Sequence, residues 1–164
     1  MTEVLIREAV DADGPELIRL AEATLAEHAE NDGVESFGPA FAAPASGFAG
    51  RGGRLWVMAD ASGALVGALG VAAHVRPQEF EIEALFLAPS VRGQGFALAL
   101  LAGADAFAAA SSAVRLTAWI DTRFTGAIRF LLRHGFVRLP GTRARHDGSN
   151  ALTRHYARDV AAAA

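Results

Sequence analysis

The residues best suited to chemistry form one run, Leu85-Phe86-Leu87-Ala88-Pro89-Ser90-Val91-Arg92-Gly93-Gln94-Gly95-Phe96-Ala97-Leu98. An apolar strand enters a tight glycine turn, and the turn opens a helix. Free backbone N–H groups at a helix start, backed by the positive end of the helix dipole, make an anion site. Glycine lets the backbone approach the anion closely. Such a site suits a pyrophosphate. A P-loop would need a lysine and a hydroxyl residue after its second glycine, and neither stands there. A dinucleotide fingerprint would need a third glycine at Leu98 and an acidic ribose partner about 20 residues on, where Arg115 lies. The pattern that remains is [Q/R]-x-x-G-x-[G/A], met by Arg92, Gly95 and Ala97.

Three glutamates precede this loop at alternate positions, Glu79, Glu81 and Glu83. Strict alternation places them on one strand face with Leu85 and Leu87, while Phe80, Ile82, Ala84 and Phe86 take the other. Such a row is either a solvated face or a source of acid–base chemistry. The histidines are more dispersed. His28 and His134 fall at helix ends, and His146 and His155 lie in a C-terminal hairpin beside Asp147 and Tyr156.

The surrounding elements must hold the loop at a sheet edge. Residues 4–7 read as a strand, and Asp13-Gly14-Pro15-Glu16 reads as a helix start with Asp13 as N-cap. Leu17, Leu20, Ala21 and Leu25 carry that helix to about residue 29. Residues 31–53 are rich in glycine and phenylalanine and predict a loop with a short helix at most. Strands follow at 55–59 and 64–73 across a hairpin turn, then at 79–87. A helix over 95–110, a strand over 114–120 and a helix over 127–134 come next, with Gly135 closing the last helix. Short strands over 136–139 and 151–159 end the chain. This order predicts a mixed, mostly antiparallel α/β sheet with helices on both faces.

Composition narrows the function. The 164 residues suit one domain, here read as 1–164, and 52% are hydrophobic. The net charge of −3 argues against a nucleic-acid partner, whose phosphates call for a basic face. The absence of cysteine removes disulfides, thiolate metal sites and thiol nucleophiles. No secretory signal and no membrane span is legible, so a cytoplasmic protein without a membrane partner is expected.

From the loop onward the chain resembles the GNAT superfamily of N-acetyltransferases. The likeness rests on Leu85-Phe86-Leu87-Ala88-Pro89, on the Arg92/Gly95/Ala97 pattern, and on Ala127-Ile128-Arg129-Phe130-Leu131-Leu132-Arg133-His134-Gly135-Phe136, which resembles the family's second helix and its Gly-Phe end. It extends over about residues 54–140. The resemblance implies a GNAT-like acyl-CoA N-acyltransferase fold that uses acetyl-CoA as co-substrate and needs no metal. The implied partner is a small-molecule or peptide amine, and a homodimer is compatible with it. Backbone amides of Gly93, Gln94, Gly95, Phe96, Ala97 and Leu98 would hold the pyrophosphate. Leu85, Phe86 and Leu87 would pair with the pantetheine arm, and one of their N–H groups would face the thioester carbonyl. Arg92 is either a phosphate contact or a surface residue.

A lysine-like amine has a pKa of about 10.4 and must lose a proton before it attacks, so a general base is called for. Glu81 is the candidate, with Glu83 as alternative. Two positions depart from the family pattern. Leu131 stands where many members have a tyrosine acid, and Phe124 where many have a cofactor-binding asparagine. Tyr156, the only tyrosine, is the remaining phenol for the acid role. These departures also fit an acyl-CoA-binding module with weak chemistry, and a degenerate nucleotide site is the third reading. The acceptor is expected to meet residues 31–53 and 140–150.

Overall fold

The computed structural model describes residues 2–27, 39–73, 76–144 and 152–161. Seven strands form one sheet in the order β1-β2-β3-β4-β5-β7-β6. They are β1 (Val4–Glu8), β2 (Arg54–Asp60), β3 (Leu65–Ala73), β4 (Glu79–Leu87), β5 (Arg115–Asp121), β6 (Val137–Ala144) and β7 (Leu152–Asp159). Every neighbouring pair is antiparallel except β4 and β5, which run parallel.

Among the described residues, four α-helices cover the sheet: α1 (Gly14–Ala26), α2 (Pro44–Ala49), α3 (Phe96–Ala110) and α4 (Thr125–Arg133). Leu17, Leu20, Ala21 and Leu25 of α1 are buried at helical spacing. With Phe41 and Phe48 they pack against Val57, Ala68, Ala84 and Phe86 on one face. On the other, Leu100, Leu101, Ala104 and Leu131 of α3 and α4 pack against Met58, Leu69, Phe80, Ile82 and Leu116. The two apolar layers make the expected mixed α/β architecture.

Two local features, the role of Asp13 and the extent of β6, differ from expectation. Asp13 precedes α1 but gives no side-chain cap to it. Its carboxylate instead accepts two 2.8 Å hydrogen bonds from Arg7 and one from the Val10 N–H. The charged donor outcompetes the helix amides. Of the glycine-rich segment, residues 39–53 hold the one short helix expected, with buried Phe41 and Phe48 anchoring the Pro39–Phe41 turn and α2. Finally, β6 runs past Pro140 to Ala144. Leu139, Pro140 and Gly141 bulge out opposite His155, since proline has no N–H for the ladder, and pairing resumes at Thr142.

Candidate active site

A bulge in β4 sets the geometry. Gly70 pairs with Ala84 and Val71 with Ile82, which leaves Glu83 as the extra residue. One inserted residue reverses the alternation beyond it. Phe80 and Ile82 therefore face α3 and α4, whereas Ala84 and Phe86 face α1 and α2, and Leu85 and Leu87 pack on the α3 side. The single face expected for Glu79, Glu81, Glu83, Leu85 and Leu87 is corrected. Glu81 and Leu85 point to opposite faces, because a period of two cannot survive an odd insertion.

The parallel β4–β5 pairing stops at Ile82–Ala118. Beyond that point the strands separate, and the β5-facing edge of residues 83–87 has no strand partner. A cavity of about 270 Å³ fills the gap, walled by Glu83, Leu85 and Phe86 on one side and Trp119, Asp121, Phe124 and Ala127 on the other. It shares Leu85, Phe86, Phe124 and Ala127 with a larger cavity of about 470 Å³ that reaches Arg92, Gly93, Ala97 and Arg129. It shares Ile82, Glu83 and Trp119 with a third, of about 240 Å³, lined by Phe41, Arg51 and Glu81. The three together form one trough through the sheet edge.

At the wide end, Gly93 and Gly95 have φ of 73° and 85°, left-handed conformations that favour glycine. No side chain caps α3, and its first ladder bond runs from the Ala99 N–H to the Gly95 carbonyl. The N–H groups of Phe96, Ala97 and Leu98 thus lie ahead of that ladder. Arg92 lines the same cavity, but its Nε donates to the Leu87 carbonyl (2.9 Å) and its terminal nitrogens to the Glu27 carboxylate (3.2 and 2.6 Å). Gln94 accepts from the Thr2 N–H and donates to the Ser90 carbonyl, so its side chain braces the turn. Phe96 packs toward the core, and Leu98 is exposed.

At the other end, Glu81 and Glu83 line the cavity with Arg51. Arg51 holds both carboxylate oxygens of Glu83 through its two terminal nitrogens. That hydrogen bonding, together with the charges of Glu83 and Glu81, raises the guanidinium above its ordinary value, with desolvation opposing. Trp119 stacks against His155 with ring centroids 4.3 Å apart, and the Arg143 guanidinium lies 3.9 Å from its ring centroid. No spacing signal singles out Arg51, Trp119 or Arg143 individually, although Arg51 and Arg143 fall within residues 31–53 and 140–150, the two stretches expected to meet the acceptor.

Tyr156, the candidate acid, and Leu131, at the position of the family's tyrosine, stand apart from this trough. Leu131 is fully buried and Tyr156 is 2% exposed, both in the core beneath α4, and neither lines the three cavities. His134 follows the last turn of α4, with its ring centroid 4.7 Å from that of Phe130. His28, His146 and Asp147 lie outside the described residues. Among the described residues no cluster of three or more His, Cys, Asp or Glu could hold a metal ion, and no helix is long and apolar enough to cross a membrane.

The mixed seven-stranded sheet with its covering helices has the fold of the acyl-CoA N-acyltransferases. The sequence matches the acetyltransferase (GNAT) family over residues 17–136. The protein belongs to that family. Its fold is similar to a GNAT-family acetyltransferase from Staphylococcus aureus Mu50, with a TM-score of 0.83 at 16% identity over 97% of this chain and 100% of that one. It is also similar to a GNAT superfamily phosphinothricin acetyltransferase from Sinorhizobium meliloti in complex with AcCoA, with a TM-score of 0.74 at 24% identity over 98% of this chain and 89% of that one. A GNAT-family acetyltransferase from Streptococcus pneumoniae gives 0.70 at 20% identity over 96% and 100%. No curated protein sequence matches the chain.

Proposed function

We propose that this protein transfers an acetyl group from acetyl-CoA to the primary amine of a small molecule or peptide. The continuity of the trough carries the reading. Walls shared between adjacent cavities lead from the glycine turn, through the β4–β5 gap, to Glu81.

The residues present fit acetyl-CoA. A Cβ built on Gly93 or Gly95 meets nothing within 4 Å, so the turn presents open backbone to an incoming anion. The first amides of α3 supply donors for the pyrophosphate. Residues 83–87, beyond the end of the β4–β5 ladder, offer a strand edge to the amide-bearing pantetheine arm, as in strand addition. Arg92 already serves Glu27 and Leu87, which favours its role as a brace over that of a phosphate ligand. When bound, acetyl-CoA supplies an activated acyl group as its thioester.

On the acceptor side, Glu81 takes the ammonium proton, directly or through one water, and leaves a neutral nucleophile. The C–N bond then forms and the C–S bond breaks, with the electron pair departing on sulfur, while the attacking nitrogen gives up its second proton to solvent or to the departing thiolate as the amide forms. An N–H among Leu85, Phe86 and Leu87 donates to the carbonyl oxygen as charge builds on it. The thiolate, with an ordinary thiol pKa of about 8.5, leaves without an obligatory acid. The burial of Tyr156 favours solvent as the proton source, and Tyr156→Phe tests its acid role.

Acetyl-CoA is expected to raise the melting temperature, as a ligand selective for the native state does. Glu81→Gln should lower turnover about 10²–10⁴-fold with cofactor affinity retained. Near-normal turnover in a folded Glu81→Gln protein would transfer the base role to Glu83. The second reading, a binding module, is favoured by apolar Leu131. It predicts acetyl-CoA binding without thiol release across an amine panel.

A further inference from the structure

The charges around the acceptor cavity have a pattern that the transfer chemistry does not require. Arg51 and Glu83 form a two-point ion pair, so together they are internally neutral. Glu81 adds negative charge on the same wall. Positive charge comes from Arg143, which is exposed, has no carboxylate partner among the described residues, and holds its guanidinium carbon 3.9 Å from the Trp119 ring centroid. Trp119 lines two of the cavities, and Arg143, which lines neither, is joined to them through that ring.

The fold places Arg143 there deliberately. Leu139, Pro140 and Gly141 bulge opposite His155, and bulges re-aim the side chains beyond them. A Cβ built on Gly141 would lie 3.9 Å from the Trp119 ring, so the bulge itself packs on that indole. His155 braces the same ring with planes 5° apart. Stacking on an indole orients a guanidinium while leaving its in-plane N–H donors available, the geometry that recognises a carboxylate.

We infer that the acceptor is an amine that also carries an anionic group such as a carboxylate, with its amine toward Glu81 and its anionic group on Arg143. The inference rests on the acetyltransfer reading for the identity of the amine end. The anion subsite at Arg143 stands on the geometry of Trp119 and β6.

The test compares amino acids with the amines that lack only the carboxylate: L-phenylalanine with phenethylamine, and L-methionine with 3-(methylthio)propylamine. Thiol release from acetyl-CoA is measured for the wild type, Arg143→Met and Arg143→Lys. Methionine retains packing on the indole without charge. The wild type should favour at least one amino acid over its amine by about tenfold or more in kcat/KM, chiefly through KM, as expected for one charge-assisted hydrogen bond. Arg143→Met should shrink the ratio to about threefold or less, with Arg143→Lys between. A wild type that favours the amines in both pairs, or a ratio that survives in Arg143→Met, overturns the inference. Absence of turnover with every acceptor would count against the acetyltransfer reading. Equilibrium binding of the N-acetylated compounds, followed by tryptophan fluorescence, then decides the subsite alone. Tighter binding of the carboxylate forms that is lost in Arg143→Met supports it, and equal binding overturns it.

Discussion

Replacing Arg51 by methionine should change the pH dependence of catalysis more than the stability of the fold. Arg51 is 46% exposed at the side chain and Glu83 is 23%, so their pair is partly screened. A pair of that kind is worth about 0.2–1 kcal/mol to folding. For a domain of this size the melting point should fall by about 1–4 °C. The electrostatic effect on the site is larger. Without the cation, Glu81 and Glu83 are two like charges about 7 Å apart along one strand. Their repulsion is about 2.4 kcal/mol at an effective dielectric of about 20 and about 0.6 in water, and the exposure of the wall places it near 1 kcal/mol. Removing a cation and leaving like charges favours the protonated carboxyl. More alkaline solution is then needed to ionise the base. The acidic limb of kcat/KM should move up by about 0.7 pH unit, and the wild-type and variant curves should converge at high pH. Both proteins are assayed by thiol release with one acceptor, so the titration of the amine itself cancels. A folded Arg51→Met protein whose limb stays in place, or moves down, would refute a carboxylate base on this wall.

The remaining predictions concern the cofactor loop and the frame. Gly95→Ala forces a side chain into a left-handed position and should cost about 1–2 kcal/mol of stability. Gly95→Val should in addition abolish the acetyl-CoA melting shift, and retained affinity in a folded Gly95→Val protein would remove this turn from the cofactor site. Asp105 of α3 binds Arg158 and accepts from the Ala161 N–H, and both side chains of the ion pair are largely buried. Asp105→Asn should lower the melting point by about 5–10 °C, for about 2–3 kcal/mol lost, with the rate of acetyl transfer unchanged at 25 °C. The Arg7 hydrogen bonds, aided by the Val10 N–H and opposed by desolvation, hold the Asp13 carboxyl below its usual range. That contribution is present above the unfolded value of about 3.9 and is lost as pH falls through the lower folded value. Asp13→Asn should therefore cost about 1–3 kcal/mol at pH 7 and progressively less as pH falls below about 3.9, as measured by urea unfolding.

Much of the frame was legible because it follows periodic rules. The buried stripe of α1, the strand over Glu79–Leu87 and the helix beginning at the glycine turn each follow from a repeat of 3.6 or 2 residues, or from turn chemistry. The cofactor loop was legible because only a narrow spacing of glycines lets a backbone cradle an anion. What escaped the sequence is aperiodic. Nothing in Glu79–Leu87 announces that Glu83 is an inserted residue, since its alternation of large and acidic side chains is unbroken. The bulge belongs to the register against β3, which a single strand does not contain. Arg51 and Arg143 escaped for a related reason. Each reaches the site from an element distant in sequence, and each gains its role from the partner it meets there.

The two irregularities of β4 act together to make the site. A regular strand paired with β5 along its whole length would have all its N–H and C=O groups satisfied and none to offer a ligand. Ending that pairing at Ile82 leaves the edge of residues 83–87 open. Such an edge is a liability unless something covers it. Here the coverage comes from the walls of α4 and the trough, which leave room for an amide-bearing arm. The bulge at Glu83 supplies the second requirement. It turns Glu81 to the α1 side and Leu85 to the α3 side, so the base candidate and the apolar wall of the cofactor groove lie on opposite faces of one strand. On the proposed function, an acceptor approaching from the Phe41 and Arg51 side and an acyl donor lying along Leu85 would meet in the gap between β4 and β5. Moving Glu83 out of register, for instance by deleting it, would return Glu81 and Leu85 to a common face and close that meeting point. The site is therefore specified less by any single catalytic side chain than by one extra residue in one strand.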